Sequence, residues 1–300
     1  MMAEKQKTIK EVASVKGIGL HKGTEVNLTF KPAPDNHGIK FKRIDLENQP
    51  IIDVNIDYVH DTARGTTLVK DGIMIATTEH VLAAVTGSGI DNILIELDAE
   101  ETPIMDGSSR YFVEALKKAG VQEQQSNRNF IELDKEIIYT DPDRKTEMIA
   151  IPYDDFKVSA MINYETKVLG TQNAVMESIK DFQEEISKSR TFVFLHELEF
   201  LLNNNLIKGG DLSNAIVFVN RAVSQEELDR LAELFDKPKV KVLKEGILNN
   251  LELYHPNEPA RHKLLDIVGD LSLLGKPLKA HIIARRPGHG SNVEFAKKIK

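Results

Sequence analysis

The chain has 300 residues, 41% of them hydrophobic and 28% charged, with a net charge of −7 and no cysteine. That is the composition of a globular protein of roughly two domains, and it excludes disulfides and thiolate metal sites, leaving His, Asp and Glu to hold any metal. No run of Lys or Arg exceeds two residues, which argues against nucleic acid as the main partner.

The polar N-terminal stretch MMAEKQKTIKEV has no apolar signal region. No segment approaches ~18 consecutive apolar residues, so no transmembrane segment is expected. A cytoplasmic enzyme or binding protein is the expectation from these bounds.

Residues 8–47 read as strands and turns, with a glycine-punctuated turn at Gly17–Gly23. His21 in that turn reads as structural. Thr66–Lys70 and Ile73–Thr77 flank Asp71-Gly72, a type I′ hairpin pair. Thr77 or Thr78 then suits the cap of a helix carrying Glu79 and His80 and ending by Gly87 and Gly89. A buried strand at 92–97, a loop at 103–110 and an amphipathic helix at 111–119 follow. Residues 121–128 are polar and read as an irregular boundary between domains 1–125 and 126–300.

The second half opens with strands at 129–139, 146–152 and 157–164. A short helix at 180–188, an apolar helix at 194–203 and a strand at 215–219 come next. Ser224–Glu227 reads as a capping box opening a helix that runs to about Phe235. After an irregular connector, 238–259, the stretch 261–271 is helical in its apolar period. A strand at 279–285, a flexible loop at 287–292 and a last helix finish the chain.

The two halves match in order. Residues 79–120 and 261–300 both run helix, strand, Gly-Ser loop, helix, and His80 opens the first unit as His262 opens the second. This predicts an α+β fold of two similar domains, each a sheet with helices packed on one face. With the helices sandwiched between the two sheets, the equivalent histidines would face each other at the seam, a common place for a ligand site.

The helix at 261–271 carries the chemistry. His262, Asp266 and Asp270 lie at i, i+4 and i+8, on one line of an otherwise apolar helix. Burying such groups needs a reason, either a metal or an ion-pair network. With His80, the set His262 and Asp266 suits one Zn2+ per chain with an open position, a site that activates water near neutral pH.

Glu79 flanks such a metal as a general base, or else simply complements the helix dipole. His289 is placed to stabilise an oxyanion and protonate a leaving amine, with Asp270 orienting it. Lys263 points to the same cleft or is solvated. Thr191, in the turn Arg190-Thr191-Phe192, is a hydrogen-bond donor to an oxyanion or only part of the turn. His196-Glu197 has no second histidine at 200, so it is not a His-Glu-x-x-His protease motif.

Assembled, these residues resemble the zinc-dependent deacetylases that act on UDP-3-O-acyl-N-acetylglucosamine at the committed step of lipid A synthesis. The resemblance runs through Gly17-Ile18-Gly19-Leu20-His21, Thr78-Glu79-His80, Pro103–Ser108, Arg190-Thr191-Phe192, Gly209-Gly210 with Asn214-Ala215, Arg261–Asp270, and Gly288-His289 with Asn292. It implies zinc on His80, His262 and Asp266, Glu79 as base, and His289 with Asp270 as acid. Thr191 and Lys263 would meet the tetrahedral intermediate, and Phe192 the nucleotide–sugar end.

The same resemblance implies a small strand insert in the first domain, around Asp71-Gly72, and a βαβ insert in the second, about 193–219. Leu198, Ile207, Leu212, Ala215 and Val217 of that second insert would line an acyl-chain passage. The stretch 222–259 is longer than the family leads one to expect. Some family members continue into an acyl-carrier-protein dehydratase domain, so this chain is expected to be the deacetylase part of such a fusion or a stand-alone enzyme. Two other readings stay open on the residues alone: a zinc amidohydrolase on another acylated amino sugar, and a non-catalytic lipid- or carbohydrate-binding module.

Overall fold

The computed structural model describes residues 4–204, 206–236, 239–244 and 246–300. Met1–Ala3, at the head of the polar N-terminal stretch, and Pro238, at the start of the expected connector, lie outside the described residues.

Strand β1 (Lys5–Ile9) leads into β2 (Ala13–Ile18), β3 (Glu25–Pro32), β4 (Ile39–Arg43) and β5 (Ile51–Asp53). A small insert of β6 (Val59–Asp61), β7 (Thr67–Lys70) and β8 (Ile73–Ile75) follows, then helix α1 (Glu79–Gly87), β9 (Ile93–Leu97) and helix α2 (Arg110–Ala119). Asp71 and Gly72 both take positive φ, 51° and 78°, as the hairpin between β7 and β8 requires.

β10 (Val121–Asn127) is followed by β11 (Ile131–Glu132), β12 (Ile137–Asp141), β13 (Thr146–Pro152), β14 (Phe156–Asn163) and β15 (Thr171–Met176). The second insert is β16 (Phe192–Phe194), α3 (Leu195–Asn203) and β17 (Ile216–Phe218), followed by α4 (Gln225–Leu234). Helix α5 (Glu258–Leu271), β18 (Leu278–Arg285) and helix α6 (His289–Ile299) complete the element order.

The two main sheets share one topology. The first runs β2-β3-β9-β4-β5 and the second β12-β13-β18-β14-β15, with β11 added beside β18. In both, successive neighbours pair antiparallel, antiparallel, parallel, antiparallel. The match extends the expected repeat from the helices into the sheets. Along β3 and β14 every second residue is buried, as a sheet with one covered face demands. Apolar side chains from both inner faces and from α1, α2, α5 and α6 form one continuous core, so the helices lie between the sheets.

Helix α1 packs most extensively against α5. A Cβ on Gly269 would fall 2.2 Å from the backbone oxygen of Glu79, so only glycine permits the approach. Arg190 fixes the other end of α5. Its N–H and Nε donate to Glu258 Oε1 at 3.0 and 2.8 Å, and Tyr254 N–H donates to Glu258 Oε2 at 2.8 Å. Both partners of that ion pair are buried, where losing one member is severe.

Several local expectations are corrected. Residues 121–127 are not irregular but pair with β1; an edge strand with mostly exposed side chains carries no apolar signal. We propose the division of the domains near residue 125, which falls inside this strand. The stretch 180–188 is a 3₁₀ turn (Ile179–Asp181) followed by a π-helical turn (Phe182–Ile186) rather than one regular helix.

Thr78 occupies the N-cap of α1, but neither threonine side chain makes the capping hydrogen bond. Thr78 Oγ1 donates to the Thr66 carbonyl at 2.9 Å and Thr77 Oγ1 to Glu101 at 3.0 Å. Ser224 does cap α4, accepting from Glu227 N–H at 3.2 Å, but Glu227 turns to Arg221 instead of closing the box. Helix α6 begins at His289, inside the expected loop. Ser291 Oγ closes its first turn on Gly288, and His289 and Asn292 are pinned from outside by Asp270, which overrides the poor helix propensity of Gly288-His289-Gly290.

The α1–α5 contact gives a direct stability test. Gly269→Ala is expected to lower the unfolding free energy by about 1–3 kcal/mol through overpacking, measured from the denaturant midpoint. An unchanged midpoint would contradict the contact.

Candidate active site

The line of polar residues on α5 meets the start of α1 at the centre of this helix layer. Ligand atoms of His80, His262 and Asp266 lie within 4.8 Å of one another, and all three residues are buried. His262 Nε2 is 3.4 Å and His80 Nε2 3.9 Å from Asp266 Oδ1. The two imidazoles face each other edge-on, centroids 5.1 Å apart at 82°. One histidine comes from each domain.

The surroundings leave this cluster ready for a cation. His262 Nδ1 lies 3.0 Å from the Ser189 carbonyl. A carbonyl only accepts, so the proton sits on Nδ1 and the Nε2 lone pair points into the cluster. Asp266 Oδ2 accepts from Lys263 Nζ at 2.8 Å, whereas Asp266 Oδ1 and His80 Nδ1 are buried without a hydrogen-bond partner among the described residues. A buried carboxylate oxygen left bare between two imidazoles is expensive unless a cation shares the site.

Burial, with His262 adding, brings the His80 pKa down to about 3, and burial lowers that of His262 as well. Both rings are therefore neutral, the state a metal ligand needs. Burial alone would raise Asp266, but the Lys263 ammonium and the His289 imidazolium hold it below the ordinary carboxylate range. The chemistry of this donor set, two neutral imidazoles and one ionised carboxylate, fits a divalent metal ion.

Glu79 precedes His80 at the first residue of α1 and is 3% exposed. Its Oε2 accepts from Thr66 N–H at 2.9 Å, and its Oε1 lies 4.0 Å from His289 Nε2. Burial, opposed by His289 and reinforced by Asp270, pushes the Glu79 carboxyl up to about 7. His289 Nε2 also lies 3.8 Å from Asp266 Oδ2.

The His289 Nδ1 sits 2.9 Å from Asp270 Oδ2. Burial would lower His289, but the charges of Asp270 and Asp266 and the Asp270 hydrogen bond outweigh it and raise it to about 10. Asp270 therefore points to His289, and both its carboxylate oxygens are engaged: Asn292 Nδ2 donates to Oδ2 at 2.8 Å and Thr66 Oγ1 to Oδ1 at 2.5 Å.

Lys263 is half-buried rather than solvated, its Nζ on Asp266 and 5.7 Å from the centre of the Phe192 ring. Its pKa is held up by Asp266 and Tyr164 against burial. Phe192 stands 6.5 Å from the His262 ring and 5.3 Å from Tyr164, both edge-on. Thr191 is half-buried beside Gly107, to whose carbonyl its N–H donates at 2.8 Å. No hydrogen bond among the described residues ties its side chain to the cluster.

The apolar residues of the second insert lie apart from these polar groups. Leu198, Ile207, Leu212 and Val217 are buried in a second small core with Leu228, Leu231 and Ala232 of α4, and Ala215 is half-buried. They form a closed core here rather than an open wall. The extra segment after the insert thus packs on it through α4. His21 spans from the glycine turn to the insert, its Nδ1 3.2 Å from the Leu206 carbonyl, and His196 stacks on Phe194 away from the cluster.

Ser189 and Thr66 escaped the sequence reading, and Asn292 entered it only as part of the resemblance, without a role. Asn292 lies three residues after His289, a spacing that would have marked it had the run been read as helix. Ser189 acts through its backbone carbonyl, to which side-chain type is no guide. Thr66 looked like the first residue of an ordinary hairpin strand.

Comparison with known proteins finds relatives along the whole chain. The family described as UDP-3-O-acyl N-acetylglycosamine deacetylase, LpxC, matches residues 6–240 and 236–300. A bifunctional enzyme LpxC/FabZ of Bacteroides thetaiotaomicron is 45% identical over 99% of this chain, which spans 64% of that relative's length. A UDP-3-O-acyl-N-acetylglucosamine deacetylase of Myxococcus xanthus is 38% identical, covering 98% of this chain and 86% of its own. That of Chlamydia pneumoniae is 36% identical, covering 100% of this chain and 98% of its own. The chain belongs to the UDP-3-O-acyl N-acetylglycosamine deacetylase family, LpxC.

Proposed function

We propose that this chain hydrolyses the acetamide of a UDP-linked, 3-O-acylated N-acetylglucosamine, releasing acetate and the free amine, as a step of lipid A biosynthesis in the cytoplasm. The observation that carries the reading is the bare Asp266 Oδ1 between two neutral imidazoles, with Glu79 and the His289–Asp270 pair beside it. Relatives covered over most of their length bear the name of that deacetylase. No helix among the described residues is long and apolar enough to cross a membrane. The bifunctional relatives support a fused acyl-carrier-protein dehydratase as a partner domain.

His80, His262 and Asp266 would hold one Zn2+. When bound, the ion supplies Lewis acidity toward the amide carbonyl and toward water. Glu79, fixed by the Thr66 N–H, takes the proton of the attacking water. His289, held by Asp270 through Nδ1, turns Nε2 to the cluster and gives a proton to the departing glucosamine nitrogen. Lys263 and Thr191 face the oxyanion and the polar head of the substrate, and Phe192 offers its ring to the nucleotide–sugar end. The acyl chain lies against the second insert, where Leu198, Ile207, Leu212, Ala215 and Val217 supply apolar surface. Admitting it requires that small core to open.

The purified chain is expected to carry about one zinc by elemental analysis and to release acetate from UDP-3-O-acyl-N-acetylglucosamine. Chelation should abolish release and added Zn2+ restore it. A metal-free chain with full activity would refute the site.

Substitutions separate the roles. Glu79→Gln should keep its metal while kcat falls by about 10²–10⁴, whereas His80→Ala should lose the metal itself. Wild-type turnover by Glu79→Gln would remove Glu79 as the base.

A further inference from the structure

Thr66 is fully buried and comes from the strand insert of the first domain, yet it touches the machinery of both domains. Its N–H donates to Glu79 Oε2 at 2.9 Å. Its hydroxyl donates to Asp270 Oδ1 at 2.5 Å and lies 3.5 Å from His289 Nδ1. Its carbonyl accepts from both the N–H of Thr78, at 3.1 Å, and the Thr78 hydroxyl, at 2.9 Å. Thr78 immediately precedes Glu79 and His80 on α1. All three polar groups of one residue are thus engaged by the start of α1, the acid pair or the base.

We propose that Thr66 is a positioning residue that sets Asp270, and through it His289, in register with Glu79. The inference rests on the functional reading above and adds a member to its proton-transfer apparatus. Asp270 stands one turn beyond Asp266, and its carboxylate can rotate about its own side chain. Its Oδ2 already serves His289 and Asn292. The Thr66 hydroxyl on Oδ1 fixes the remaining rotation, and with it the direction in which His289 presents Nε2. The same residue's N–H fixes the Glu79 carboxylate. Base and acid are therefore both tied to Thr66, through its N–H and its hydroxyl.

Substitution at this position can separate the two links. Thr66→Val keeps the N–H on Glu79 and removes only the hydroxyl on Asp270. Thr66→Ser keeps both donors. The effect of Thr66→Val should therefore pass through Asp270.

The test uses the zinc-loaded chain and acetate release from the UDP-linked substrate. Thr66→Val is expected to lower kcat by about ten- to a hundredfold, with KM, zinc content and thermal midpoint close to wild type. Thr66→Ser should return kcat to within about threefold of wild type. Thr66→Ala is made beside the valine variant, so that a packing failure of the second methyl does not decide the result. In an Asp270→Asn background, Thr66→Val should add no more than about a twofold further loss, because residues acting through one another do not add.

Wild-type turnover in both Thr66→Val and Thr66→Ala would overturn the inference while leaving the deacetylase reading intact. So would full multiplicative losses in the double variant, or a fall in kcat that tracks loss of zinc or fold and is not rescued by serine. Absence of acetate release by the zinc-loaded wild type would overturn the deacetylase reading and this inference together.

Discussion

Two carboxylates buried one turn apart on α5 set the terms for the rest of the molecule. Asp266 and Asp270 are 1% and 0% exposed, and an ionised carboxylate in such a place needs compensation from every side. Asp270 obtains it entirely from protein: Thr66 from the first-domain insert, and His289 and Asn292 from α6. Asp266 obtains only half of it, from Lys263, and keeps one oxygen bare toward the two imidazoles. That inequality assigns the two acids different work. The engaged one is proposed to orient a histidine, and the one with a bare oxygen to hold a cation.

The duplicated scaffold explains why the cluster lies where it does. Two sheets of identical strand order press their helices together, so equivalent helices meet at the seam and each brings a histidine. The duplication stops at the carboxylates. Four and eight residues after His262 stand Asp266 and Asp270, whereas the same steps after His80 reach Ala84 and Ser88. Small residues on that line, with Gly269 opposite Glu79, let the two helices approach closely. One helix carries the charge and the other makes room for it. The inserts then differentiate the halves further, the first sending Thr66 inward and the second building its own apolar core under α4.

Much of this is written in local pattern. An i, i+4, i+8 line of His262, Asp266 and Asp270 on an apolar helix is hard to mistake, and alternating strands such as β14 and the Asp71-Gly72 turn follow from period and φ alone. What stayed hidden depends on tertiary partners. β10 is a polar edge strand held by β1, so nothing in its side chains marks it. The start of α6 is held by Asp270 against its own glycines. Thr66 and the Ser189 carbonyl act through backbone groups or a single hydroxyl, which residue type does not advertise. The residues expected to line an acyl passage share the apolar signature of ordinary core, and here they are packed as core.

The central claim is that one metal ion joins the two halves through His80, His262 and Asp266. It is tested most directly by anomalous X-ray scattering from crystals of the purified chain, with data collected on both sides of the zinc edge. A single anomalous peak between the two histidine Nε2 atoms and Asp266 Oδ1, present only above the edge, is the predicted result. No peak there, or a peak on other residues, would contradict it and return the α5 line to an ion-pair network.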